Sequence, residues 1–206
     1  LLVGAIAGAL MGVIMAVLAV SLQTDQVIAS ITLVIVGQGL TTYLFRQQFG
    51  SLTARIHPLP ELPIPGLAQI PFLGQVFFRH DLMTYFSIVL LGAAWYFLYA
   101  TTWGLNIRAA GEHPAAADTS GVNVAAVRYA AVLIGAALTG LGGAVLTVAQ
   151  LGIFNENITA GRGWIAVALV IFARWQPWLA FAGAFLFGLA TALQFRIQAL
   201  NLQAIP

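Results

Sequence analysis

The polar residues that could do chemistry are few, and their placement favours binding over bond-making. One cluster is Phe154-Asn-Glu-Asn-Ile-Thr-Ala-Gly-Arg-Gly163. It brings Asn155, Glu156, Asn157, Thr159 and Arg162 into one short stretch. Their amide, carboxylate, hydroxyl and guanidinium groups can exchange hydrogen bonds with a small polar solute. Glu156 and Arg162 can also pair with each other. Gly161 and Gly163 permit tight backbone turns beside them. Polar groups next to a broken helix suit solute binding in a membrane, because helix ends and unwound backbone are free to bind. The same residues also fit a connecting loop whose charges are simply solvated. Gln38 and Thr41 form a second set, inside an apolar run. They can hydrogen-bond a sugar, a base or a neighbouring helix.

Covalent and metal chemistry find little support. The sequence has no Cys, so a thiol nucleophile, a disulfide framework and a thiolate metal site are excluded. All eight basic residues are Arg. Without Lys there is no Schiff-base chemistry and no P-loop, whose Lys holds the phosphates. His57, His80 and His113 are far apart and no HExxH is present, so no metal site and no cofactor are expected. No Ser/His/Asp arrangement is legible and GxSxG is absent. The charges are scattered with no basic patch, which gives no reason to expect nucleic acid. No catalytic residue is expected.

The frame that positions these residues is a membrane one. Of 206 residues, 61% are hydrophobic and only 7% charged. That is far too little charge for a water-facing surface, since soluble domains carry about 25%. Five charge-free runs, Leu1–Thr24, Gln26–Phe45, Leu82–Ile107, Tyr129–Asn155 and Trp175–Phe195, are each long enough to cross a ~30 Å hydrocarbon core. Gly163–Ala173 is about half a span and reads as a short or re-entrant helix. The expected fold is all-α: a polytopic helical bundle forming one transmembrane domain over residues 1–206. Leu1 opens inside a hydrophobic run and Pro206 soon follows a span, so a fragment of a longer protein is expected. Gly4, Gly8 and Gly12 share one helix face, and the 135–144 stretch is rich in Gly and Ala. Small residues at that spacing suit close helix packing. Trp95, Tyr96, Tyr99 and Trp103 suit an interfacial aromatic belt, as do Trp175 and Trp178.

Two polar stretches read as loops. Residues 46–81 hold five charges and Pro58, Pro60, Pro63, Pro65 and Pro71. Interior prolines break helices, so its apolar part, Leu62–Phe78, reads as an ordered surface loop. Residues 105–128 hold four charges. Within them Pro114 can open a short helix, the alanines after it can propagate it, and Gly121 fits just past its end. A short, mostly neutral helix at a membrane surface suits docking into a partner's groove.

From Gly104 to Phe195 the chain resembles the permease subunits of bacterial ATP-binding-cassette importers of the simple-sugar and nucleoside branch. The stretches carrying this are RAAGEHPAAADTSGVNV from Arg108, TGLGGA from Thr139, TAGRGWIAVALVIFARWQP from Thr159 and LFG from Leu186. QGLTTYLFRQQFG from Gln38 is similar to the nucleoside type. Ala116, Ala117 and Gly121 match the family's coupling element of two small residues, three variable ones and a Gly. Ala115 stands where related permeases have an acidic residue. The resemblance implies that Arg108, Gly111, Glu112, Pro114, Ala116, Ala117, Gly121 and Val122 form a cytoplasmic site where a separate ATPase subunit docks. It also implies a second permease subunit, an extracytoplasmic substrate-binding lipoprotein and a multi-pass place in the bacterial plasma membrane.

With 105–128 cytoplasmic, 46–81 and 151–162 lie outside. The arginine count runs the other way: Arg46, Arg55 and Arg79 fall outside, Arg108 and Arg128 inside, against the positive-inside tendency. The motif decides here. The alternative function is an ion-coupled secondary transporter, but such proteins often carry Asp, Glu or His within their spans. The five long runs have none.

Overall fold

The structure, a computed structural model, describes residues 1–50, 54–55, 61–63, 79–151, 153–154, 158–159 and 161–199. Among them, five helices are long and apolar enough to cross a membrane. Helix α1 covers Leu2–Ala16 and ends in a π-helical turn, Val17–Ser21. Helix α2 runs Gln26–Phe49 and α3 Leu82–Ala100. Two shorter helices follow, α4 at Thr102–Glu112 and α5 at Pro114–Thr119. Helix α6 runs Val124–Val145 and continues as a π-helical turn, Leu146–Leu151. The half-length α7, Arg162–Phe172, precedes α8, Pro177–Ala199. At about 1.5 Å per residue, α7 reaches only about half the hydrocarbon thickness.

Three readings change with the structure. The charge-free run Leu82–Ile107 is not one straight span: it breaks at Thr101, whose backbone is extended. Residues 105–128 are not a loop along most of their length, since α4, α5 and the start of α6 occupy them. The chain keeps helical hydrogen bonding there because Pro114 and Gly121 punctuate helices and do not prevent them. Residues 46–81, read as a loop, begin with the last turn of α2. The surface reading of Leu62–Phe78 falls almost wholly outside the described residues.

Four strands of two or three residues tie the connections together. Ala54–Arg55 (β1) pairs with Ile153–Phe154 (β4), and Glu61–Pro63 (β2) pairs with Arg79–Asp81 (β3), both antiparallel. The first ladder places Ala54–Arg55 and Ile153–Phe154 at one end of the bundle.

The most extensive packing is between α1 and α6. Gly4, Gly8 and Gly12 of α1 face Ala144, Gly140 and Ala136 of α6. The order is reversed, so the helices are antiparallel. A Cβ added at Gly4 would sit 2.6 Å from the Ala144 Cβ. One added at Gly8 would sit 2.8 Å from the Gly140 Cα and would also strike the Ala136 carbonyl. The backbones approach closely because α1 carries only glycine at these positions and α6 nothing larger than alanine. In lipid, where burying apolar surface brings no gain, such contact is what holds helices together. At the other end of the pair, the Ser21 and Tyr129 hydroxyls share a 2.5 Å hydrogen bond. That contact puts the turn at residues 22–25 at the same end as the start of α6, opposite the β1–β4 ladder.

Little of the chain is buried inside itself. Among the described residues the buried hydrophobic ones are Ala16, Ala29, Phe45, Ala110, Ala117, Val127 and Ala173. Large apolar side chains instead point outward along every span, as expected where the solvent is lipid. Polar groups inside the spans satisfy themselves locally. Thr32, Thr139 and Thr191 each donate to a carbonyl one turn back at 2.9 Å.

Helix α2 starts on a side-chain cap. Asp25 accepts from the N–H groups of Val27 at 2.8 Å and Ile28 at 3.1 Å. Its negative charge also suits the positive end of the helix. Asp25→Ala is expected to lower stability by about 1 kcal/mol, read as a small drop in melting temperature in detergent. An unchanged melting temperature would mean that water replaces the cap fully.

Candidate functional site

The short helix α5 has both of its ends written in the sequence. Pro114 is its first residue, where a missing N–H leaves nothing unpaired. At the other end Gly121 adopts φ +85°. The Gly121 N–H donates to the Asp118 carbonyl at 2.9 Å, and the Val122 N–H donates to the Ala117 carbonyl at 3.0 Å. These two bonds are the Schellman pattern, which satisfies the last carbonyls of a helix and turns the chain away. A non-glycine residue rarely holds that left-handed backbone. The next helix is capped at once: Asn123 accepts from the Ala126 N–H at 3.0 Å.

The faces of α5 divide cleanly. Ala117 is buried against the bundle, while Ala115, Ala116 and Asp118 are exposed. Gly111, Glu112, Pro114 and Gly121 are also exposed, and Val122 is half-buried. A small-residue surface flanked by Glu112 and Asp118 therefore projects from the end of the bundle that holds the 22–25 turn. Beside it lies a cleft of ≈ 360 Å³ between the end of α1, the start of α2, α4 and α6. Met15, Gln26, Gly111 and Arg128 are among its lining residues.

Arg108 is different from its neighbours in the motif. It is half-buried, and its guanidinium carbon lies 4.8 Å from the centre of the Tyr99 ring. Its Nε is buried without a hydrogen-bond partner among the described residues.

The candidate solute-binding residues are scattered. Gln38 and Thr41 are exposed on α2, three positions apart and so on one face. The Thr41 hydroxyl donates to the Gly37 carbonyl at 2.8 Å, which leaves its lone pairs as the groups free to accept. Thr159 and Arg162 are exposed around the start of α7, where Gly161 takes φ +81° and the Arg162 N–H donates to the Thr159 carbonyl at 2.8 Å. Asn155, Glu156 and Asn157 lie outside the described residues. Helices α2 and α7 are not among the well-packed pairs of described elements, so among the described residues no extensive packing joins the helix of Gln38 and Thr41 to that of Arg162.

Sequence reasoning missed Tyr99, Thr101 and Gly104. The aromatic belt reading absorbed Tyr99, and no charge or proline marks the break at Thr101. The available signal was Thr101 three residues before Gly104, a cap-like spacing inside an apolar run.

Five spans, a half-length helix and a protruding capped helix together define a polytopic membrane bundle. The family described as branched-chain amino acid transport system / permease component matches residues 1–203, and the chain belongs to it. Among curated relatives, a putative glucose ABC transporter permease of Haloferax volcanii is 42% identical, covering 99% of this chain and 62% of its own length. A guanosine ABC transporter permease of Bacillus subtilis is 37% identical, over 94% of this chain and 61% of its own length. A nucleoside ABC transporter permease of Lactococcus lactis is 37% identical, over 94% of this chain and 62% of its own length. The chain thus spans under two thirds of the length of these relatives. No solved structure matches significantly. This kinship supports the resemblance to sugar and nucleoside permeases and gives no support to an ion-coupled carrier.

Proposed function

We propose that this chain is the pathway-forming part of a non-catalytic permease subunit in an ATP-driven importer of nucleosides or simple sugars. ATP is hydrolysed by a separate cytoplasmic subunit that docks on α5, around Gly111, Glu112, Pro114, Ala116, Ala117, Gly121 and Val122, while Arg108, half-buried over Tyr99, stands apart from that surface. A second permease subunit completes the channel, and an extracytoplasmic binding protein delivers solute. The assembly sits in the plasma membrane, with the 105–128 segment cytoplasmic and the 46–81 segment outside. The observation that carries this reading is the small-faced, doubly punctuated helix α5 projecting from one end of a permease-family bundle. The solutes of the named relatives, glucose, guanosine and nucleosides, support the solute class. Gln38, Thr41, Asn155, Glu156, Asn157, Thr159 and Arg162 are proposed to line the pathway from facing subunits. That suits the lack of extensive packing between α2 and α7 among the described residues.

The test is transport by the full-length protein reconstituted with its ATPase and binding protein. Labelled nucleoside or glucose is expected to accumulate only with ATP, and the ATPase subunit to co-isolate with the permease. Uptake that survives ATP removal but collapses with an ionophore would overturn the reading.

A further inference from the structure

The junction between α3 and α4 is a tight elbow. Only Thr101, in an extended conformation, separates the two helices. Its hydroxyl donates to the Phe97 carbonyl at 2.5 Å and accepts from the Gly104 N–H at 3.1 Å. One side chain thus closes the end of the span and opens the next helix. Gly104 is buried against the last turn of α3. A Cβ there would lie 2.6 Å from the Leu98 carbonyl carbon and would strike the Phe97 carbonyl oxygen. Across the bend, the Trp95 and Tyr99 rings stack at 6.1 Å, and the Arg108 guanidinium covers the outer neighbour, Tyr99, at 4.8 Å. Trp95 and Tyr99 belong to the span, and Arg108 belongs to the helix leading to α5. With its Nε buried and unpaired among the described residues, the guanidinium is held by the ring face, an electrostatic attraction that strengthens away from water.

We propose that Arg108 is a positioning residue of the permease itself: with Tyr99 it locks the elbow at a fixed angle, so that α3, α4 and α5 move as one lever. On this assignment Arg108 works within the chain and does not contact the ATPase. Displacement of α5 then reaches the transmembrane span without being absorbed at Thr101. The proposal rests on reading α5 as the coupling helix, and it assigns the part that carries the motion onward.

The absence of native cysteine allows a direct test. Ala93→Cys and Leu105→Cys, both at exposed positions, carry spin labels on the two arms of the full-length permease in its complex. One narrow distance is expected, identical without nucleotide and with ATP trapped. Adding Tyr99→Leu is expected to broaden it, and Tyr99→Phe, which keeps the ring, to restore it. In transport, Tyr99→Leu and Arg108→Gln are expected to cut uptake per ATP hydrolysed roughly tenfold. The ATPase should still co-isolate and hydrolyse ATP, and Tyr99→Phe should restore uptake. A wild-type distance that changes with nucleotide, or normal coupling in Tyr99→Leu, overturns the lever. Loss of ATPase docking in Arg108→Gln also overturns it, by returning Arg108 to the docking surface. If the wild-type permease fails to bind any ATPase, the coupling reading of α5 fails instead, while broadening in Tyr99→Leu still decides whether the clamp exists.

Discussion

Gly140→Leu is expected to deprive this protein of its folded state. A single Cβ at that position would strike the Gly4 carbonyl oxygen and lie 2.8 Å from the Gly8 Cα. Both obstacles are backbone, so no rotamer change relieves them. The two helices must separate, and every contact along Gly4, Gly8 and Gly12 weakens with them. Overpacking alone costs about 1–3 kcal/mol, and leucine adds three further carbons to the clash. Because lipid replaces the lost contacts with equally apolar ones, no hydrophobic penalty pulls the helices back together. The expected readout is at least roughly tenfold less monodisperse protein by size-exclusion chromatography. Gly143→Ala on the same helix, with open space around it, should behave as wild type. A normal Gly140→Leu profile would show that α1 and α6 are not packed on their glycines.

Gly121→Val should have an equally large effect of the opposite kind, sparing the fold and removing function. Nothing lies within 4 Å of a Cβ at Gly121, so the obstacle is its φ of +85°. A β-branched residue there is a conformational outlier, and left-handed backbone costs about 1–2 kcal/mol even for ordinary residues. Relaxing it would sacrifice the Gly121–Asp118 and Val122–Ala117 bonds, each worth about 1 kcal/mol. The end of α5 would then point elsewhere while the spans stay intact. Insertion and yield should be unchanged, with ATP-driven uptake reduced roughly tenfold or more. Gly121→Asn, which tolerates the left-handed region, should retain most uptake. Equal transport by the valine variant would remove α5 from the coupling path.

These two glycines also show what a sequence can and cannot disclose. Gly121 was legible, because helix punctuation is local: a Pro opens, a Gly closes, and the alanines between them leave few alternatives. The spans were legible for a similar reason, since length and lack of charge act residue by residue. Gly140 was only half legible. Its small neighbours announce a close contact, but nothing local says that the partner is α1. The elbow was hidden more thoroughly. Leu82–Ile107 is free of charge and of proline throughout, and the break depends on one threonine side chain that competes for backbone groups at both of its sides. The Arg108–Tyr99 contact reaches across that break, so no helical spacing encodes it. The solute-binding candidates remain the least legible part, because their polar types are equally at home in helix contacts. Thr41, whose proton is committed to Gly37, illustrates the ambiguity.

The pairing of α1 with α6 has a consequence for how the protein is made. The ribosome delivers α1 first, and α2 through α5 must follow before its partner exists. At about 5–20 residues per second, that interval is on the order of ten seconds. Throughout it, the bare glycine face of α1 sits in the bilayer without α6, the helix it packs against. The β1–β4 ladder waits as well, since Ile153–Phe154 emerges after α6. The most extensive packing among the described elements therefore forms only once α6 has emerged. Nascent chains that stall before α6 carry an orphan helix with an exposed small-residue groove, a recognisable mark for insertion factors to shelter or for membrane proteases to remove.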